Sequence, residues 1–255
     1  MATYREEKIK KLLAEHKPGT VCLASWLDGL GISHDLQKHY RRSGWLESVG
    51  TGALKRPGDN VGWQGALYAL QAQARLPVHV GAFTALSLQG TAHYLRLGAE
   101  PVYLFSPPKV ALAAWFRKYS WGNPIRHVST SILPSGLGLN SHEDKNIPLT
   151  IASRERAILE CLHLAPDVVG LVECYQVIEM LNNLRPKLVQ QLLEACNSVK
   201  VKRLFLYMAD KAGHQWLSYV DQDKLDLGKG DRMIVSGGTY VSRFHISVPK
   251  ELTAL

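Results

Sequence analysis

The stretch ISHDLQKHYRRSGWLESVGTGALKRPG, residues 32–58, decides the fold of the amino-terminal part of this chain. Ile32, Leu36 and Tyr40 recur at helical spacing as a narrow apolar stripe, and the rest of that helix surface carries His34, Gln37, Lys38, Arg41 and Arg42. Ser33 is a helix-starting residue and Gly44 a plausible stop. WLESV and GALKRPG then flank Gly50-Thr51-Gly52, which reads as two short strands around a tight turn, with Trp45 as a core anchor for the hairpin.

Working backwards, Thr3 and Glu6 have the spacing of a capping box, and Ile9, Leu12, Leu13 and His16 follow as one buried stripe until Pro18-Gly19. Thr20 is placed to cap a second helix, in which Leu23, Trp26, Leu27 and Leu30 repeat before Gly29 and Gly31 allow a turn. The order is helix, helix, Gly-containing turn, exposed basic helix, hairpin. That is the order of a winged helix-turn-helix, whose second turn helix enters the major groove of DNA while the hairpin touches adjacent backbone.

The residue types suit that role. Arg41 and Arg42 offer guanidinium forks to guanine edges or phosphates, Gln37 can pair with adenine, and Lys38 suits phosphate as a compact point charge. Ser33 and the free N–H groups at the helix start can hold a phosphate oxygen, with His34 beside them. Lys55 and Arg56, read as lying near the hairpin tip, would follow the backbone or dip into the minor groove. His34 and His39, taken singly, read as surface histidines. The competing reading of the whole helix is an ordinary solvated face.

After Pro57-Gly58-Asp59 the composition shifts, which divides the chain into a winged helix-turn-helix over residues 1–58 and a larger mixed α+β domain over 59–255. In WQGALYALQAQARL, Trp63, Leu67, Leu70 and Ala74 recur as a helix until Pro77; AFTALSLQ reads as another, and AHYLRLGAEPVYLFS as two strands around a turn. A helix, VALAAWFRKY, and a strand, RHVSTSIL, precede PSGLGLNSHEDKNIP, residues 134–148, which lacks apolar periodicity and reads as a surface loop. Helices are expected at RERAILECLHL, after Ser153, and at KLVQQLLEACNSV. The chain closes in expected strands at RLFLYMA, QWLSYV and the run containing Phe244, Ile246 and Val248. Without regular βαβ alternation, the class is α+β.

The overall balance narrows the partners. A net charge of +8 and a pI near 9.3 favour polyanions where the charge is clustered. Cys22, Cys161, Cys174 and Cys196 are far apart and lack zinc-site spacing, so reduced thiols in a cytoplasmic protein are expected. The start MATYREEKIKK is not signal-like, and no apolar run approaches a membrane span.

Catalytic signals are sparse. Phosphate-loop, dinucleotide, serine-hydrolase and zincin motifs are absent. Pro166-Asp167 followed by Glu173 resembles the start of a metal-dependent nuclease motif, but Cys174-Tyr175 stands where a lysine is wanted. His142, Glu143 and Asp144 could bind a metal, although consecutive polar residues in a loop are commonly solvated. A DNA-directed enzyme, either a metal-dependent nuclease or a nucleotidyl-modifying protein, stays as the alternative function. No cofactor is expected.

The chain resembles the AbiEi family of type IV antitoxins, found in abortive-infection systems. The likeness is carried by LASWLDGLGISHDLQKHYRRSGWLESVGTGALKRPGD, by GWQGALYALQAQARLPVHVGAFTALSLQG directly after it, and by SRERAILECL later on. It implies a DNA-binding autorepressor that binds inverted repeats in its own promoter through the winged helix. It also implies a second domain that counters a nucleotidyltransferase-fold toxin without a stable complex. Carried over to this chain, the DNA-binding set is Gln37, Lys38, Arg41, Arg42, Lys55 and Arg56, and no residue of the second domain is assigned. Relatives often have a proline after the serine where this chain has Ser153-Arg154, a change that costs some helix preorganisation only.

Overall fold

A computed structural model describes residues 2–91 and 100–254, with side chains from residue 7 onward. The chain is mixed α+β. It begins with α1 (Ala2–Glu15), β1 (Cys22–Leu23), α2 (Ala24–Gly29), α3 (His34–Arg42) and a hairpin of β2 (Glu47–Gly50) and β3 (Ala53–Lys55). β1 pairs antiparallel with β3, which closes a three-stranded sheet in the order β1-β3-β2. This is the expected winged helix-turn-helix, with a short strand ahead of α2.

Three local readings change. The first helix starts at Ala2, so Thr3 is already inside it rather than at its cap. Thr20 does not cap α2, which starts four residues later behind Leu23; its hydroxyl donates to the Lys17 carbonyl, and the His16 ring lies 3.1 Å from the Thr20 carbonyl. Trp45 is 51% exposed, and the neighbouring Leu46 is the buried anchor.

A small core of Leu12, Cys22, Leu27, Ile32, Tyr40, Leu46 and Leu54 holds the winged helix together. Each fully buried aliphatic side chain contributes about 1.5–3 kcal/mol, so a core of this size is marginal alone. The larger core supplements it, because Val21, Leu23 and Ala53 pack in the same cluster as Trp63, Ala66 and Leu67. Gly65 makes the approach possible: a Cβ there would sit on the Gly19 carbonyl, and the Gly65 carbonyl accepts from Val21 N.

α4 (Trp63–Tyr68) opens the larger region and runs into a wide π turn over Ala69–Gln73, where the sequence suggested one regular helix. That turn is a junction. Gln73 clamps β1 through Val21 O and Leu23 N, while Gln71 clamps Val78 O, Thr150 O and Thr150 N.

The main sheet has five strands in the order β6-β5-β4-β8-β7. These are β4 (His79–Val80), β5 (Val102–Ser106), β6 (Ile125–Ser129), β7 (Leu139–Asp144) and β8 (Ile147–Ala152). β5–β6 and β4–β8 are parallel pairs, and β4–β5 and β7–β8 are antiparallel. α5 (Ala82–Leu88) and α7 (Arg154–Leu164) pack on one another and on this sheet, and α6 (Ala114–Lys118) packs on β2. The strand expected ahead of Gly98 lies outside the described residues.

The expected loop over residues 134–148 is largely a hairpin, β7–β8, turned by Lys145-Asn146, both at positive φ. Its solvent side is polar, which masks the strand pattern in the sequence. α6 is shorter than expected, beginning only at Ala114.

Beyond α7, with Ser153 as its N-cap, come α8 (Leu171–Met180), α9 (Pro186–Ala195) and α10 (Val199–Lys211). RLFLYMA is therefore helical and QWLSYV a short 3-10 turn, not strands. α10 is buried through Val201–Ala209, and an apolar run buried on all sides carries no period to separate helix from strand. The chain ends in β9 (Arg232–Met233), β10 (Thr239–Val241), β11 (Ile246–Val248) and α11 (Lys250–Ala254), with strand order β10-β11-β9.

Candidate nucleic-acid interface

α3 forms because its three structural requirements are met. The Ser33 hydroxyl accepts from Leu36 N, Asp35 stands in the first turn against the positive end of the helix dipole, and His39, Arg41 and Arg42 stand in the last turn. Gly44, at positive φ, then turns the chain into the wing. Tyr40 and Gln37 face inward with half-buried Leu36, and His34, Lys38, Arg41 and Arg42 face solvent.

Gln37 is a correction. Only 3% of it is exposed, and its amide donates to the carbonyls of Ala24 and Ile32, so it braces the helix turn instead of offering itself to an adenine. A polar residue on the inward arc of a helix carries no sequence signal of burial unless the partner carbonyls are known.

Lys38, Arg41 and Arg42 make no hydrogen bond or ion pair among the described residues. Their donors are free for a ligand. Beside them runs an open groove between α3 and the hairpin, lined by Ala24, His34, Arg41, Ser48, Thr51 and Gly52 among others. The Gly52 carbonyl accepts from Ala24 N, which ties the turn of the wing to the start of α2. On its other side, β2 rests on Trp115 of α6, where Gly50 leaves no room for a side chain.

The wing lysine and arginine are elsewhere than expected. The tip is Thr51-Gly52, and Lys55 and Arg56 lie at the base of the hairpin, both half-buried. Lys55 sits opposite Glu47 in register, 3.4 Å from its carboxylate, and also donates to the Asp59 carbonyl. Its charge is therefore partly spent inside the wing. Sequence reasoning missed exposed Trp45, at the exit of α3, and exposed Thr51, at the tip. The only signal for Trp45 was its place directly after a glycine helix stop.

The other sequence candidates do not converge. His142, Glu143 and Asp144 are successive residues of β7, so Glu143 points to the opposite face from its neighbours, and Asp144 accepts from Gln64. Asp167 is exposed in the turn after α7, while Glu173 lies in the first turn of α8. The nearby Lys200 closes the end of α7 by donating to the carbonyls of His163 and Ala165, and burial holds its pKa below the usual lysine value. All four cysteines are free and buried; burial pushes the Cys22 and Cys174 thiols up to about 12. No helix among the described residues is long and apolar enough to cross a membrane.

The comparisons agree with this architecture. Residues 5–97 match a family model described as the N-terminal domain of the transcriptional regulator AbiEi antitoxin, and residues 99–249 match one described as transcriptional regulator, AbiEi antitoxin, type IV toxin-antitoxin system. The crystal structure of the RV2827C protein from Mycobacterium tuberculosis is similar in fold, with a TM-score of 0.58 at 10% identity, over 96% of this chain and 90% of that one. No curated protein matches the chain in sequence.

Proposed function

The chain belongs to the AbiEi family of type IV antitoxin transcriptional regulators, and on that premise we propose that it represses its own operon by setting α3 into the major groove of promoter inverted repeats. The observation that carries this reading is the unpaired cationic face of α3, with Lys38, Arg41 and Arg42 exposed beside an open groove. Three neighbouring cations on one exposed helix face, none neutralised by a carboxylate among the described residues, concentrate positive charge where an external polyanion could sit. Arg41 and Arg42 would read guanine edges or clamp phosphates, and Lys38 and His34 would hold backbone. Ser33, already capping α3, would bring the free N–H groups of the helix start to a phosphate. Trp45 and Thr51 extend the same surface, while Lys55 and Arg56 contribute charge from the wing base.

In this reading residues 1–58 contact DNA, and residues 59–255 counter a nucleotidyltransferase-fold toxin without forming a stable complex with it. The chain itself catalyses nothing. The DNA arm is tested by fluorescence-anisotropy titration of the duplex upstream of the gene against a scrambled duplex over a range of salt. Tighter binding of the upstream duplex at every salt concentration is expected; equal affinities remove the repressor. The antitoxin arm is tested by co-expressing the neighbouring gene. Restored growth without copurification supports it, and a complex that survives purification overturns the type IV mode.

A further inference from the structure

Away from the DNA face, β4 and α7 bring three buried side chains together, His79, Arg156 and Glu160. Arg156 Nε donates to Glu160 Oε1 at 2.7 Å, so the carboxylate is ionised, accepts only, and offsets the guanidinium charge. His79 Nε2 lies 2.8 Å from the same oxygen. The ring proton therefore sits on Nε2, and the neutral imidazole shows a lone pair at Nδ1. Arg156 Nη1 donates to the carbonyls of Pro134 and Leu137, but Arg156 Nη2 and His79 Nδ1 have no partner among the described residues. One donor and one acceptor remain unanswered.

Both side chains line a cavity of about 140 Å³ between β4, β5 and the segment leading to β7. Among the described residues, the unpartnered side-chain atoms sealed from solvent are His16 Nδ1 and Arg154 Nε, so Nδ1 of His79 and Nη2 of Arg156 open into this cavity. The rest of the wall is mixed. Val78, Phe105 and Leu139 supply apolar surface, while the polar side chains of Gln71, Ser106 and Thr130 are already engaged, with Val78 and Thr150, with Pro107 and His127, and with Ile132 in turn. An apolar cavity of about 150 Å³ accepts benzene, a molecule of six non-hydrogen atoms, so the space suits a ligand of about that size.

We infer that this cavity binds a small uncharged carboxamide or lactam, its N–H donated to His79 Nδ1, its carbonyl on Arg156 Nη2 and its hydrocarbon body against Phe105 and Leu139. The chemistry selects this class. Because Glu160 already balances Arg156, an ion of either sign would leave bulk water with no counter-charge waiting for it. A purely apolar molecule would displace water from Nδ1 and Nη2 and strand both, at the desolvation cost of each. An amide edge carries one donor and one acceptor side by side, the complement of the two free atoms, and the apolar wall takes the rest. The inference is independent of DNA binding.

The test uses the full chain at about pH 8, where an imidazole is ordinarily neutral, and three molecules of one shape. Butanamide is the probe; methyl propyl ketone replaces its nitrogen by a methyl group, and butyrate replaces it by a charged oxygen. An NMR titration reads affinity from the backbone signals of the cavity wall and the hydrogen bond from the ring nitrogens of His79. The ligand-free ring should show a proton on Nε2 alone. Butanamide should bind saturably, with half-effect at about 10 mM or below, and should move the Nδ1 signal while leaving Nε2 in place. The ketone, which leaves Nδ1 unanswered, should bind at least about fivefold more weakly, and butyrate at least about tenfold more weakly. Ser135 lines the cavity and is exposed, so Ser135→Trp covers the mouth without entering the core and should abolish the Nδ1 change. If that variant fails to fold, the comparison of the three molecules on the wild-type chain decides alone. No saturable binding of butanamide, a ketone or carboxylate that binds as tightly, a doubly protonated His79 ring at this pH, or an undiminished Nδ1 change in Ser135→Trp would each overturn the inference.

Discussion

The chain uses arginine in two opposite ways. On α3, Arg41 and Arg42 extend into solvent with no partner among the described residues. In the larger region, Arg156 and Arg203 are 5% and 3% exposed and give most of their donors to the protein itself. Arg203 donates to the carbonyls of Leu227, Gly228, Gly230 and His245, holding the loops around β9 and β11 onto α10. A buried guanidinium is tolerated when its charge is paired or most of its donors are satisfied, whereas an exposed one is already solvated and can exchange water for phosphate or a base edge. The contrast separates residues that make the fold from residues that use it. Loss of a buried arginine or its partner should appear in stability, and loss of an exposed one in DNA affinity.

The largest effect is expected at the buried cluster. Glu160→Gln leaves Arg156 and His79 without their carboxylate, and urea unfolding should show a loss of about 3–5 kcal/mol. Burial alone would raise the Glu160 pKa, but His79 and Arg156 together hold it below the ordinary carboxyl value. A carboxyl depressed in the folded state contributes stability that is present above its unfolded pKa and is lost as pH falls through the folded one. The wild-type chain should therefore lose stability on acidification below the usual carboxyl range. Glu160→Gln should show a weaker acid dependence, and an unchanged acid limb would remove the cluster from this account.

Arg203→Met comes next. It strands four carbonyls, and the expected loss is about 3 kcal/mol, measured by the same unfolding titration. A variant within about 0.5 kcal/mol of wild type would mean that water replaces the guanidinium and that burial does not decide its role. Arg41→Ala reverses the pattern: stability should stay within about 0.5 kcal/mol, while affinity for the upstream duplex falls by about 1–3 kcal/mol if the side chain reads a base. The smallest effect belongs to Lys55→Ala. Paired with Glu47 at the wing base, it should weaken all duplexes alike and lower the salt slope by less than the about 1 expected of a free phosphate contact. A full unit would show that the lysine leaves Glu47 on binding.

The amino-terminal winged-helix part of the fold was readable from sequence because local signals agree there. Ser33 caps, Gly44 stops, the stripe through Ile32 and Tyr40 is buried as its spacing implies, and Gly50-Thr51-Gly52 turns the hairpin. Errors arose where burial runs against residue type. Gln37 is polar yet buried, Trp45 is aromatic yet exposed, and Arg56 is charged yet half-covered; for Gln37 the deciding partners are the carbonyls of Ala24 and Ile32. In the larger region α10 lost its periodicity to burial on all sides, and the β7–β8 hairpin hid behind its polar face. The buried cluster had one local signal, the Arg156 to Glu160 spacing on α7. Its third member, His79, stands 81 residues away and joins only when β4 meets α7.

The central claim is that α3 is the specificity-bearing surface of this regulator. It is tested most directly by measuring upstream and scrambled duplex affinities of the wild-type chain and Arg41→Ala side by side at one salt concentration. The account predicts a wild-type preference for the upstream duplex that Arg41→Ala reduces about 5- to 100-fold, with scrambled-duplex affinity falling far less. Equal losses on both duplexes, or an undiminished preference, would contradict it.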